Sequence, residues 1–327
     1  MGVMILDYHG VLTPDDLGRI AEAGCSRLLR FDLWHESEPA RGEYRLDRLI
    51  EYCRAAKAVG LRVLIQTPIG SPLWAPPDWY FVNDRAQTNA FGLRRASAPY
   101  CYMDSTAMAQ RFLSLWNVEA EDCTRRYVAR VQAAVDPEGA VTIGSIGSCG
   151  EYMLPASHQY GFLGAGGPWW HDAGAIESWA EFQQEYPEGT RADWLHRCLA
   201  LLTAERLQWY AEKWLQFVPY YESHWPAYGN VGTDRILEAN REGLHTILFS
   251  VFGPAEWVEV ARRQAEKYPT WAGAEGSDNV VANSVNARRI GCRGVVCALL
   301  ELGYHEIRVE PRAFEELRKA NRNWPSV

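Results

Sequence analysis

A (β/α)8 barrel, an α/β TIM-type fold, is what the sequence predicts. Short apolar runs alternate with amphipathic stretches along all 327 residues, and the longest irregular segments follow apolar runs rather than precede them. No internal repeat, coiled-coil heptad or low-complexity tract competes with that pattern. The expectation is therefore a single catalytic barrel over residues 1–327, interrupted after its fourth strand by an inserted loop at about 152–189.

Each unit has its own signals. "VMILDY" reads as the first strand, and Thr13-Pro14 opens its helix, with threonine as cap and proline in the first turn. "SRLLRFDL" is the second strand, followed by the helix "LDRLIEYCRAAKAVG", which Gly60 closes as the residue after the cap. "LRVLIQT" is the third, and a long loop leads from it to a helix from about Thr106 to Val135. The fourth strand, "AVTIGSIG", runs out into "SCGEYMLP". Residues 152–189 are rich in Gly, Pro, Trp and His without a sustained period, so they read as loop, and loops of that length usually serve a function. A helix from about Ala192 to Glu212 precedes the fifth strand, "KWLQFVPYY". "LHTILFSVF" and the helix "EWVEVARRQAEKY" make the sixth unit, "TWAGAE" is the seventh strand and "RGVVCALLE" the eighth, and "EPRAFEELRKANRNW" is the closing helix.

Composition narrows the function. Lys plus Arg number 33 against 41 Asp plus Glu, a formal charge of -8, and like charges do not run in blocks. That balance disfavours nucleic acid and anionic membranes as partners. Charges interrupt every long apolar stretch, and "MGVMILDYHGVLTPDD" lacks a basic segment followed by an apolar one, so the expectation is a cytoplasmic protein. Eight scattered cysteines without CxxC spacing read as reduced, buried thiols. The 14 Trp and 16 Tyr exceed what a core needs, and such rings often stack on flat ligands. A Trp-rich loop also serves a subunit contact, which leaves homo-oligomerisation open.

In a (β/α)8 barrel, chemistry sits at the strand C-terminal ends. The polar residues there are Asp7 and His9, then Arg30, Asp32, Trp34 and Glu36, then Gln66, Glu151, the trio Tyr221, Glu222 and His224, Glu275 and Glu301. Two carboxylates stand apart. Glu151 in "GSIGSCGEYM" and Glu275 in "WAGAEGSDN" each follow an apolar strand beside glycine, on strands four and seven, which face each other across a barrel mouth. A facing pair suits glycosidic cleavage: one carboxyl donates a proton to the leaving oxygen, and the other stays ionised to attack or stabilise the anomeric carbon. Arg30 is a candidate for orienting the nucleophile, or a plain ion-pair partner of Asp32. Trp34, Trp74, Trp79 and Trp271 are candidate stacking walls, with rim packing as the alternative for each. No HxH or HExxH, GxxxxGK[ST] or GxSxG motif occurs, so neither a metal nor a cofactor is expected.

The stretch "RFDLWHESEPARGEYRLDRLIEYCRAAKAVGLRVLIQTPIGSPLWAPPDW" resembles the second and third βα units of clan A glycoside hydrolases, most closely the family 42 β-galactosidases. "NDRAQTNAFGLRRASAPYC" is similar to that family's following loop, and the resemblance implies a substrate-side arginine at Arg94 or Arg95. It also implies Glu151 as acid/base and Glu275 as nucleophile of a retaining enzyme on a carbohydrate substrate; Arg30, Trp34, Trp74, Tyr221, His224 and Trp271, candidates by their place near the strand ends or their rings, are expected around the sugar. Gly150 departs from the family's Asn, which contacts the sugar 2-hydroxyl, and the cysteine cluster that binds structural zinc in some members is not reproduced. That departure keeps two alternatives: a carbohydrate-binding barrel without catalysis, and a non-glycosidase barrel enzyme using the same rim carboxylates.

Overall fold

Eight parallel strands close on themselves in chain order: β1 (Gly2–Asp7), β2 (Arg27–Phe31), β3 (Arg62–Pro68), β4 (Val141–Ile146), β5 (Trp214–Phe217), β6 (Leu244–Leu248), β7 (Thr270–Ala274) and β8 (Gly294–Ala298). The structure, a computed structural model, describes residues 2–7, 10–68, 77–81, 88, 114–146, 171–217, 231–248, 255–274, 280–298, 300–303, 306–309 and 311–324. The helices described between and after the strands are α1 (Pro14–Glu22), α2 (Trp34–Ser37), α3 (Asp47–Ala58), α4 (Val118–Val135), α5 (Ala173–Glu185), α6 (Arg191–Arg206), α7 (Val231–Glu238), α8 (Ala255–Lys267), α9 (Val280–Arg289) and α10 (Pro311–Asn321).

Local chemistry sets these boundaries. Thr13 and Asp16 form a reciprocal capping box at the start of α1, and Thr190 and Asp193 repeat it at α6. Gly60 leaves α3 with φ +83°, a left-handed turn that only glycine takes without strain. The barrel is closed from outside as well: Asn321 on α10 accepts from Val3 N at 3.0 Å and donates to Ala23 O at 3.0 Å, tying the last helix to the first strand and to the end of α1.

The strands split the core in two. Met4, Leu6, Leu29, Phe31, Leu64, Val141, Ile143, Trp214, Trp271 and Val296 come only from strands and fill the barrel. Their neighbours in sequence, Val3, Ile5, Leu28, Val63, Ile65, Leu215, Ala272, Val295 and Cys297, pack outward against the helices. This alternation assigns a direction to each strand residue, and it revises two expected site residues. Arg30 lies between the inward Leu29 and Phe31 and so faces the helices. Trp271 is inward but low in the barrel, paired with Gly294, which itself pairs with Gly2, the first residue of β1.

Several elements differ from expectation. Part of the expected 152–189 loop is helix, because α5 spans Ala173–Glu185; α9 was not anticipated at all. The chain after β8 folds into an antiparallel hairpin, β9 (Leu300–Gly303) and β10 (Glu306–Val309), before α10. The helix expected from Thr106 begins at Val118, where the Asn117 side chain accepts from Ala120 N at 2.9 Å. Residues 106–113 of that expectation lie outside the described residues.

Candidate active site at the barrel mouth

The mouth is the end where β1 finishes at Asp7, β2 at Phe31, β3 at Pro68, β4 at Ile146 and β7 at Ala274. Asp7 is fully buried and belongs to the scaffold. One carboxylate oxygen accepts from Gly10 N at 2.8 Å and Val11 N at 3.2 Å, and the other from Leu12 N at 3.3 Å and Tyr52 Oη at 2.8 Å. It thus folds the β1–α1 loop onto α3. Burial, and then the Asp7 charge, push the Tyr52 phenol well above its ordinary pKa, so it remains a donor.

Arg30 sits in the same outer layer. Its guanidinium carbon lies 4.3 Å from the centre of the Tyr52 ring, and its Nε and Nη1 are buried without a hydrogen-bond partner. Gly10, at φ +62°, fits against it, since a Cβ there would lie 2.5 Å from Arg30 Nη2. The expectation that Arg30 orients a nucleophile inside the mouth is corrected by strand alternation: the side chain leaves the barrel on the helix side.

Asp32, just beyond β2, accepts from Tyr127 Oη on α4 and from Ser37 Oγ at 2.7 Å. Burial raises its carboxyl pKa; those two hydrogen bonds, and the nearby Arg30 charge, pull it back down. Trp34 is corrected too. It is 1% exposed, stacked on Tyr127 at 4.4 Å between ring centres, and donates its indole N–H to Glu38 Oε2 at 2.7 Å. A ring so enclosed has no face for a sugar. Glu38 is the centre of this cluster: its other carboxylate oxygen accepts from Gly42 N at 2.8 Å, and its carbonyl accepts from the Trp79 indole at 2.9 Å. The "EPARGEY" segment, singled out for its family likeness, is therefore a strut beneath the mouth, turned at Gly42 with φ +83°.

Trp271 is 3% exposed and packs on Trp214 at 5.9 Å, with the Arg27 guanidinium 5.7 Å from each ring. It forms the barrel floor, at the opposite end from the mouth, so its expected place beside a substrate is corrected. Gln66 has the inward parity of Leu64, is 2% exposed, and pairs in register with Phe31 and Ile143 at the mouth end. It is a buried polar side chain on the inward face at the mouth end of β3. Glu151, Glu275, Trp74, Arg94, Arg95, Tyr221 and His224 lie outside the described residues.

Among the described residues no group of His, Cys, Asp and Glu is arranged to hold a metal ion, and no helix is long and apolar enough to cross a membrane. The described cysteines are all free; Cys198 is partly exposed and Cys25, Cys53, Cys123, Cys292 and Cys297 are buried. Burial pushes the Cys25, Cys53 and Cys292 thiols up to about 12, which leaves them unreactive.

Solved structures share this architecture. The catalytic domain of a β-amylase from Paenibacillus polymyxa superposes with TM-score 0.65 at 13% identity, over 99% of both chains. A β-galactosidase from Halorubrum lacusprofundi gives 0.65 at 13% identity, over 98% of this chain and 58% of its own. One from Marinomonas ef1 gives 0.60 at 11%, over 98% and 59%. The likeness is one of fold. The barrel with helices between its strands is a TIM barrel of the kind these glycoside hydrolases use. No family model matches the chain, and no curated protein does.

Proposed function

We propose that the chain is a retaining β-glycosidase in which Glu275 is the nucleophile and Glu151 the acid/base. The observation that carries the reading is the course of β7. That strand ends at Ala274, immediately before Glu275, and counting in twos from the inward Trp271 reaches Gly273 and then 275. Glu151 follows the end of β4 by five residues, and β4 and β7 are three strands apart in the ring. The fold likeness to enzymes titled β-amylase and β-galactosidase supports the same substrate class.

In this reading Glu151 holds a proton at rest, as the acid partner of an ionised Glu275 must. It donates that proton to the leaving oxygen as Glu275 attacks the anomeric carbon. Water, deprotonated by Glu151, then releases the sugar from the glycosyl-enzyme with its configuration retained. The scaffold's part is rigidity: Asp7 clamps one loop at the mouth and Glu38 the next, so the pocket beneath the substrate is preorganised.

The test uses nitrophenyl glycosides, a β-galactoside first. Glu275→Ala is expected to lose at least about a thousandfold in kcat and to recover with azide, yielding a glycosyl azide of inverted configuration. Glu151→Ala with azide yields the retained one. Full activity in Glu275→Ala removes the nucleophile assignment, and wild-type product released with inverted configuration replaces double displacement with single displacement. Sugar binding without turnover in the wild type supports the non-catalytic alternative.

A further inference from the structure

The turn between α5 and α6 and Arg235 of α7 border an open cleft of about 530 Å³ whose lining includes no strand residue, within the roughly 300–1,000 Å³ range of small-molecule sites. We propose that this cleft is a second saccharide-binding site, taking a mono- or disaccharide, separate from any catalytic centre.

Its construction favours a neutral polyhydroxylated ligand. Tyr186, 37% exposed, presents an aromatic surface, with the Phe182 ring beneath it at 5.0 Å. The loop reaches that ring closely because residue 189 is glycine: a Cβ there would lie 2.5 Å from Phe182 Cε1. Arg197 lies against it, its guanidinium carbon 4.9 Å from the Tyr186 ring centre and its Nη1 donating to Tyr186 Oη at 2.7 Å, with Glu185 at 3.4 Å. These contacts give the wall a defined shape without a ligand.

Glu188 in the turn and Arg235 on α7 also line the cleft, both exposed, and neither makes an ion pair among the described residues. The lining holds three carboxylates, Glu185, Glu188 and Asp193, against two guanidiniums, Arg197 and Arg235, a net formal charge near -1. A multiply charged anion gains little there. A sugar gains donors, acceptors and the exposed part of the Tyr186 ring with Pro187 in the same lining, and these are contacts that saccharide hydroxyls and C–H groups use. The choice of a saccharide rests on the glycosidase reading above; the measurement below does not depend on turnover.

The full-length Glu275→Gln variant, isotope-labelled, is titrated with lactose, cellobiose and maltose in turn, and with inorganic phosphate, while backbone amide shifts are followed. The expected result is saturable movement of the amides at 186–189 and 235 with at least one disaccharide. Arg235→Ala, an exposed change, then weakens that binding about tenfold. Tyr186→Ala abolishes it, with thermal stability unchanged as the control for folding. Movement with phosphate alone, movement confined to the barrel mouth, or no movement with any disaccharide overturns the proposal. Absence of glycosidase activity in the wild type, with the cleft amides still moving, refutes the catalytic reading and leaves this one standing.

Discussion

Trp271 separates the sequence expectation from the structure, and Gly294→Ala tests the difference without touching the mouth. A Cβ on Gly294 would lie 2.5 Å from Trp271 Cε3 and 2.6 Å from Gly2 O. One obstacle is a ring wedged against Trp214, and the other is the backbone of a paired strand, so neither moves cheaply. Overpacking of this kind costs about 1–3 kcal/mol, and the double obstruction favours the upper part of that range. Trp271→Leu removes the ring from the wedge, so Gly294→Ala should cost at least about 1 kcal/mol less in the Trp271→Leu background than alone. Urea unfolding midpoints of the four proteins give the coupling directly, with equal slopes as the condition for reading them as stability. Zero coupling, or a neutral Gly294→Ala, would refute the placement of Trp271 on the floor. Affinity for sugar should be unchanged in Trp271→Leu, whereas a ring walling the substrate would lose it on truncation.

Two further predictions concern the scaffold. His245 on β6 is fully buried, donates Nε2–H to Asn240 O at 2.7 Å, and has no partner at Nδ1. Burial lowers its pKa to about 4, against the backbone hydrogen bond, which raises it. Stability is then fully present above the unfolded value near 6.5 and falls as pH drops toward about 4, by about 3 kcal/mol in total; His245→Phe should flatten the urea midpoint between those pH values, and an unchanged slope counts against the neutral buried imidazole. Glu38→Ala strands two donors, the Trp34 indole and Gly42 N, and is expected to destabilise by about 2–4 kcal/mol. A loss under about 0.5 kcal/mol in thermal or urea unfolding removes Glu38 from its place as the strut.

The order of strands, the start of α1 and the end of α3 were legible because their signals are local, whereas the caps at Asn117 and Thr190 were not read. Thr13 with Asp16, and Gly60 after α3, do in the structure what their chemistry implies. Side-chain direction was not legible, because parallel barrel strands are buried on both faces and "RLLRF" carries no alternation to count. Arg30 and Trp271 were misdirected for that reason. α9 was invisible for a related one: its core face at 280, 283, 284 and 287 is Val, Asn, Ser and Ala, a helical spacing filled by small and polar residues. α5 buries Ala175 and Phe182 at a spacing of seven, with Gly174 pressed on Trp116, so its apolar stripe is too sparse to show. In the motif around Glu38, likeness to a family marked residues that hold the loop after β2 in shape.

β7 joins these results. Its inward positions carry tryptophan at 271 and glycine at 273, so the strand is widest at the floor and narrowest toward the mouth. The ring at 271 fills space that glycine at 294 leaves open, and so packs the lower barrel. Above it, glycine keeps the wall thin where the strand ends. A bulky residue at 273 would project into the barrel just below the strand's end, whereas a bulky residue at 272 would press on the helices. Parity therefore governs what a substitution on this strand does: 271 and 273 face the barrel interior, and 272 faces the helix layer.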